Sequence, residues 1–176
     1  MSQPTRCIID NFLPERDLKE IERVLYDQEF PWYTMNGVVY EGDTDKRLVH
    51  FLYEENDTDK YYPLFLPIYN ELRAEFILKA KINLDLRDNK TYTYHIDNYL
   101  FKEYNPLFFT GIFNFTDCNG GTKFKEDGKF IQSKRNRMVI FSSCLEHAGV
   151  CPTDEYFRYG LNINWISQKP VRGVKF

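Results

Sequence analysis

His95, Asp97 and His147 are the residues of this chain whose types and spacing speak most directly of chemistry. His95-Ile96-Asp97 sets an imidazole and a carboxylate two residues apart, and His147 supplies a second imidazole. Two histidines and one carboxylate form the facial set that holds a non-haem ferrous ion and leaves positions open for a cosubstrate and dioxygen. The chain has 3 histidines, and two of them fall in this pattern. Asp is common here, so His-x-Asp alone is a weak signal. Local periodicity strengthens it. Thr91-Tyr92-Thr93-Tyr94-His95-Ile96-Asp97 is rich in β-branched and aromatic residues and reads as a strand over 91–97. Residues two apart in a strand share a face, so His95 and Asp97 point together at one ion while Ile96 points away.

The surroundings of His147 and the last strand add to this. Asn136-Arg137-Met138-Val139-Ile140-Phe141-Ser142-Ser143 reads as a strand ending in a small-residue turn, with Glu146-His147-Ala148-Gly149 after it. Small neighbours leave room for a ligand to approach the imidazole. Phe157, Tyr159, Leu161, Ile163 and Trp165 then alternate with Arg158, Gly160, Asn162 and Asn164. One face is apolar and made for a core; the other is polar beside a glycine. An arginine on an inward face requires an anionic partner, because an unpaired buried charge is costly. The planar guanidinium fork suits a carboxylate.

Around these residues the text divides in two. Pro14 can occupy the first turn of a helix running to about Gln28, with Leu18, Ile21, Val24 and Leu25 as its apolar stripe. Ile68, Leu72 and Phe76 predict a second helix over about 67–79. Between them, residues 31–60 mix short strand-like runs with solvated loops. His50, in Leu48-Val49-His50-Phe51-Leu52, reads as a structural histidine. From about 82 the pattern changes to short strands, near 82–87, 91–97, 108–116, 122–125, 129–133, 137–142 and 156–166. Asn119-Gly120-Gly121 and Asp127-Gly128 mark turns. The expectation is one domain over 1–176, with a helical part at about 12–80 and a mainly β barrel or sandwich core at about 82–166 braced by the helices.

Composition excludes several classes. With 13 Tyr and 15 Phe the chain buries much surface and is not disordered. A net charge of −3 gives no sign of broad phosphate-backbone binding, although a local groove for a nucleic-acid substrate stays open. No apolar run of about 18 residues predicts a membrane span, and Met1-Ser2-Gln3-Pro4-Thr5-Arg6 has no signal-peptide apolar region. Cys7, Cys118, Cys144 and Cys151 form no CxxC pair and read as free thiols of a cytoplasmic protein. Cys144, His147 and Cys151 match no common structural zinc spacing.

Taken in order, several motifs resemble those of the Fe(II)/2-oxoglutarate-dependent dioxygenases. The likeness is to the prolyl-hydroxylase-like branch, and especially to its short single-domain members from marine bacteriophages. The residues that carry it are Tyr92-x-x-His95-x-Asp97, Asn119-Gly120-Gly121-Thr122-Lys123-Phe124, Asn136-Arg137-Met138-Val139-Ile140-Phe141, His147-Ala148-Gly149 and Arg158-Tyr159-Gly160-Leu161-Asn162-Ile163-Asn164. Ile9-Asp10-Asn11-Phe12-Leu13-Pro14 is also similar.

The resemblance implies a double-stranded β-helix, a cupin-like jelly-roll barrel with bracing helices. It implies Fe(II) on His95, Asp97 and His147, with 2-oxoglutarate and dioxygen as cosubstrates, and Arg158 on the distal carboxylate of 2-oxoglutarate. It brings Tyr92, Tyr94, Asn114 and Asn162 to the cosubstrate pocket. Relatives often carry a tyrosine on the strand equivalent to 110–116, where this chain has Thr110, Ile112, Asn114 and Thr116. They often carry Ser where Gly160 stands. The implied reaction is hydroxylation of a substrate C–H bond, since halogenating members lack the carboxylate that Asp97 provides. Two other readings of the same residues are a non-catalytic barrel that binds or senses, and a zinc hydrolase. Trp32, Tyr33, Tyr40 and Tyr104, with residues 31–60 and 100–106, are candidates for the pocket mouth. A prolyl peptide leads as substrate, with a free amino acid, another protein side chain or a modified base as alternatives.

Overall fold

The computed structural model describes residues 6–36, 46–97 and 107–168. Its strands are β1 (Arg6–Asp10), β2 (Tyr33–Asn36), β3 (Lys46–Glu54), β4 (Asp57–Thr58), β5 (Phe76–Leu86), β6 (Phe108–Asn114), β7 (Gly121–Phe124), β8 (Phe130–Gln132), β9 (Arg137–Ser142), β10 (His147–Val150) and β11 (Phe157–Ile166). Two helices, α1 (Glu15–Leu25) and α2 (Leu66–Leu72), complete it, with a 3-10 turn at Tyr62–Phe65. An antiparallel sheet runs in the order β1-β9-β6-β11-β5-β3-β2, with β4 on β3. A smaller sheet runs β10-β7-β8.

The large sheet is covered on both faces, and the alternation of its strands decides what lies where. Phe109, Phe113, Met138, Ile140, Leu161, Ile163, Trp165, Ala80 and Ile82 point to one face and pack with Leu18, Ile21 and Leu25 of α1 and Ile68 and Leu72 of α2. Each fully buried Leu, Ile or Phe contributes about 1.5–3 kcal/mol relative to exposure. The opposite face carries Ile112, Val139 and Phe141, which meet Phe124, Ile131 and Leu145 of the small sheet and its turns. Phe124 and Phe141 cross edge to face, with ring centroids 5.0 Å apart. This apolar plug fills one end of the space between the sheets. The other end, under β3, β5 and β11, is lined with polar side chains.

Helix α1 starts where the sequence indicates, with Pro14 at its N-cap and Glu15 and Asp17 in the first turn, where acidic groups suit the dipole. Asn136, at φ 62, ties the start of α1 to the sheet. Its side-chain N–H donates to the Leu13 carbonyl and its Oδ1 accepts from the Leu13 N–H, both at 2.9 Å.

Two expectations are corrected. The second helix does not run to 79. Arg73 takes a left-handed conformation (φ 54) and ends α2 at Leu72. Phe76, the third member of the supposed stripe, is 67% exposed, because residues 76–86 alternate as a strand. As a result the part read as helical over 12–80 contributes β2, β3, β4 and the start of β5. The stretch 91–97 is not a regular strand. It meets β10 through two bridges only, Thr91 opposite Val150 and His95 opposite His147. The Thr93 carbonyl turns instead to the ring of His95. Strand β10 itself was not expected, since His147-Ala148-Gly149-Val150 has no apolar alternation to show it.

Candidate active site

His95 and His147 face each other across the bridge between 91–97 and β10. Each donates its backbone N–H to the other's carbonyl at 2.9 Å. Their ring centroids are 4.8 Å apart. Each Nδ1 lies on a backbone carbonyl, Thr93 at 2.9 Å for His95 and Leu145 at 3.0 Å for His147. A carbonyl only accepts, so each Nδ1 carries a proton, and in the neutral form of each ring the lone pair is on Nε2. Those lone pairs point at another acceptor. His95 Nε2 is 3.5 Å from Asp97 Oδ1, and His147 Nε2 is 3.6 Å from Asp97 Oδ2. The ligand atoms of the three residues lie within 4.8 Å of one another.

With both rings neutral, three electron-pair donors face one point, an arrangement that suits a cation between them. Burial pushes the His147 imidazole down, toward the neutral form a ligand needs. Burial alone would push the Asp97 carboxyl up, but the pull of a proton held on His147 or His95, with Lys81, outweighs it and holds it well below the usual carboxylate range. Asn162 and Asn164 each donate an amide N–H to Asp97 Oδ2, at 3.1 and 3.2 Å. Asn164 also donates to Thr110 at 2.9 Å, which fixes its amide. Outer partners of this kind orient a metal-binding carboxylate.

Strand register sets the other end of the cavity. Arg158 on β11 stands opposite Asp85 on β5. Arg158 donates to Asp85 Oδ2 at 2.7 Å and to Asn114 Oδ1 at 3.2 Å. Arg47 on β3 brings its Nε to 2.8 Å from Asp85 Oδ1. That approach lacks hydrogen-bond alignment, so Arg47 Nε, like Arg158 Nε, is a buried donor with no acceptor. Two buried guanidinium groups thus share one carboxylate and leave a positive charge at this end. The Arg47 guanidinium lies over the Tyr92 ring, 3.9 Å from its centroid. A Cβ on Gly149 would come within 2.6 Å of Arg47, so this position has to be glycine for Arg47 to lie there. A Cβ on Gly160 would meet nothing nearer than 3.8 Å, so Gly160 keeps space open in the cavity.

A small cavity between these ends is lined by His95, His147, Arg158, Asn162, Arg47 and Asp85, among others. Asn162 lies at the Asp97 end, away from the guanidinium pair. Asn114 holds Arg158. Tyr92 reaches the cavity through Arg47, and Tyr94 is not among the lining residues. Cys144 and Cys151 do not join the His95, Asp97 and His147 cluster, and all four cysteines are free thiols. Sequence reading missed Arg47, Lys81, Asn83, Asp85 and Asn164. A signal existed for those on β5, where Lys81, Asn83 and Asp85 alternate with Ile82 and Leu84 as the polar residues of β11 do. None existed for Arg47.

Of the proposed mouth residues, Trp32 packs on Phe30 and Tyr159 at the helix-side core, and Tyr33 is exposed. Tyr40, Tyr104 and the 100–106 stretch lie outside the described residues. His50 also belongs to the helix side. Its Nδ1 is 2.8 Å from the Pro31 carbonyl, its Nε2 is 3.0 Å from Asp59, and Phe30 and Tyr61 flank it. We expect His50→Ala to lower unfolding free energy by about 1–3 kcal/mol, as a buried polar anchor lost, and to leave ligand affinities at the cavity unchanged. Denaturant unfolding beside cosubstrate binding checks this. Loss of binding in the folded variant would contradict a purely structural role.

No protein-family model matches the sequence, and no curated protein matches it. Solved structures do. An oxidoreductase of the 2OG-Fe(II) oxygenase family from Burkholderia pseudomallei superposes with a TM-score of 0.69 at 13% identity, over 95% of this chain and 88% of that one. A prolyl hydroxylase from Trichoplax adhaerens, in complex with a hypoxia-inducible-factor peptide fragment, gives 0.64 at 15% identity over 92% and 83%. A prolyl-4-hydroxylase from Pseudomonas putida gives 0.56 at 14% identity over 95% of both chains. The fold is a double-stranded β-helix. Among the described residues no helix is long and apolar enough to cross a membrane.

Proposed function

We propose that this protein is an Fe(II)- and 2-oxoglutarate-dependent oxygenase that hydroxylates a substrate C–H bond. The observation that carries the reading is the convergence of His95, Asp97 and His147 within 4.8 Å, at a cavity that His95 and His147 share with a guanidinium pair that has a charge to spare. The donor set is the 2-His-1-carboxylate triad suited to non-haem Fe(II). When bound, iron with 2-oxoglutarate supplies oxidative decarboxylation coupled to C–H hydroxylation.

The chain's own residues bind, orient and exclude water. His95 and His147 offer Nε2 because backbone carbonyls hold Nδ1–H. Asp97 offers the oxygen that the two asparagine amides leave free. Arg158 and Arg47 receive the distal carboxylate of 2-oxoglutarate, and their unsatisfied Nε donors are the groups it would engage. Charge-assisted contacts of this kind each contribute about 1.5–3 kcal/mol. Anchoring one end fixes the other, which is the orientation term of the rate. Asn114 and Asp85 keep Arg158 extended along the cavity.

The finer reading is a prolyl-hydroxylase-like enzyme of the short, phage-type single-domain form, with residues 1–176 as one domain working in the cytoplasm. A prolyl hydroxylase with a bound peptide among similar structures supports a peptide substrate here. Purified protein given Fe(II), ascorbate and 2-oxoglutarate is expected to release succinate, with the rate lost on chelation and restored by Fe(II) but not Zn(II). Absence of 2-oxoglutarate binding to metal-loaded protein would remove the assignment.

A further inference from the structure

Lys81 enters the roles above only as a charge near Asp97. It is on β5, 6% exposed, and stands opposite Asn162 of β11 on one side and Phe51 of β3 on the other. Residues directly opposite in a sheet have Cβ atoms about 4.5–5.5 Å apart. Lys81 is therefore beside the amide that holds Asp97. Asp97 is the foremost charge favouring its ammonium, against burial and the nearby Lys79 and Arg47, which push the group down to about 8, with Glu54 a smaller support. Yet Lys81 makes no hydrogen bond and no ion pair with any described residue, whereas its neighbour Lys79 is paired with Glu54. Its stem is buried, and the ammonium at its end has no direct ion pair among the described residues that an incoming anion would have to displace.

The charges of the cavity show what it lacks. Among the described residues, three buried cations, Arg47, Arg158 and Lys81, the last on the same face of β5 as Asp85, accompany two buried carboxylates, Asp85 and Asp97. A ferrous ion adds two positive charges, and 2-oxoglutarate, a dianion, cancels those two. One positive charge is left over. Arg47 and Arg158 lie at the Asp85 end. Lys81 is four residues along the strand, about 13 Å at the usual rise, and on the Asp97 side. The surplus therefore falls at the end of the cavity that 2-oxoglutarate's distal carboxylate does not reach.

We propose that Lys81 is a specificity-determining residue that binds a carboxylate of the primary substrate, so that the substrate brings one negative charge to the Asp97 end of the cavity. This rests on the oxygenase reading and narrows its substrate class. A monoanion balances the cavity, while a phosphate dianion overshoots it. The ammonium, a point charge on a flexible stem, accepts a carboxylate without the fixed fork geometry of arginine.

The test uses the full chain loaded with Co(II) and saturating 2-oxoglutarate, with acetate as probe and acetamide as its neutral match. Binding is followed by calorimetry and by the visible absorption of Co(II). Acetate is expected to bind at least about tenfold more tightly than acetamide. Lys81→Met should lose that preference when compared with the parent chain at saturating Co(II) and 2-oxoglutarate, a condition that removes any change in metal affinity caused by the lost charge beside Asp97. Lys81→Arg should keep it, and serves as the second variant should Lys81→Met fold poorly. Equal binding of acetate and acetamide, or a Lys81→Met protein that still prefers acetate, overturns the proposal, since an anion would then sit on the metal or at Arg158. A wild-type chain that takes up neither Co(II) nor 2-oxoglutarate overturns the oxygenase reading, and this inference with it.

Discussion

Asp97→Ala is expected to weaken divalent-metal binding by more than about 100-fold and to abolish succinate release. The threshold has a physical basis. Losing a mere outer partner of a metal ligand typically costs about 10–100-fold, and Asp97 is the charged ligand itself. Without it, two neutral imidazoles face a cavity in which Arg47, Lys81 and Arg158 outnumber Asp85, so a dication enters against net positive charge. Asn164→Ala should fall between, because it removes one of two amide contacts to Oδ2 and breaks the tie to Thr110. Calorimetric titration with Fe(II) or Co(II) measures both. If Asp97→Ala binds metal as tightly as the parent chain, the triad is not the metal site.

Asp85→Asn is expected to destabilise the protein by about 3–5 kcal/mol, the usual cost of removing one partner from a buried ion pair. Here the effect is compounded, since one carboxylate serves two guanidinium groups that are almost wholly buried. In a chain of this size each kcal/mol lowers the melting temperature by about 2–4 °C. The diagnostic part is rescue. A dicarboxylate that binds the folded state stabilises by RT ln(1 + [L]/Kd), and in this variant it also supplies the missing anion. Metal-loaded Asp85→Asn should therefore gain more in melting temperature from saturating 2-oxoglutarate than the parent chain does. Equal gains would mean that the guanidinium pair does not receive the cosubstrate.

Much of this could be read before any coordinates. The alternation of β11, with Arg158, Gly160, Asn162 and Asn164 on one face, is a direct consequence of strand geometry, and the face they share is the one that lines the cavity. Strands β6 and β9 were legible for the same reason. Helix α2 was not, because Ile68, Leu72 and Phe76 satisfy a helical repeat equally well when the third member belongs to a strand. The backbone at Arg73, which ends the helix, carries no strong signal in its residue type. Strand β10 was hidden because its pairing, and not its hydrophobicity, makes it a strand. His50 read as structural, and its contacts with Pro31, Asp59 and the surrounding rings are those of an anchor on the helix side.

Residue type and spacing alone determined that two imidazoles and a carboxylate were candidates for one ion, that Arg158 needed an anion, and that a mainly β core with bracing helices would carry them. Only the tertiary structure decided that Asp85 would hold two guanidinium groups, that Asn162 would serve Asp97 rather than the distal end, and that Lys81 would have no ion pair among the described residues. The reason is register. A strand's own sequence says which side chains share a face, but which faces meet depends on β3, β5 and β11 lying side by side, and those strands are brought together across the whole length of the chain.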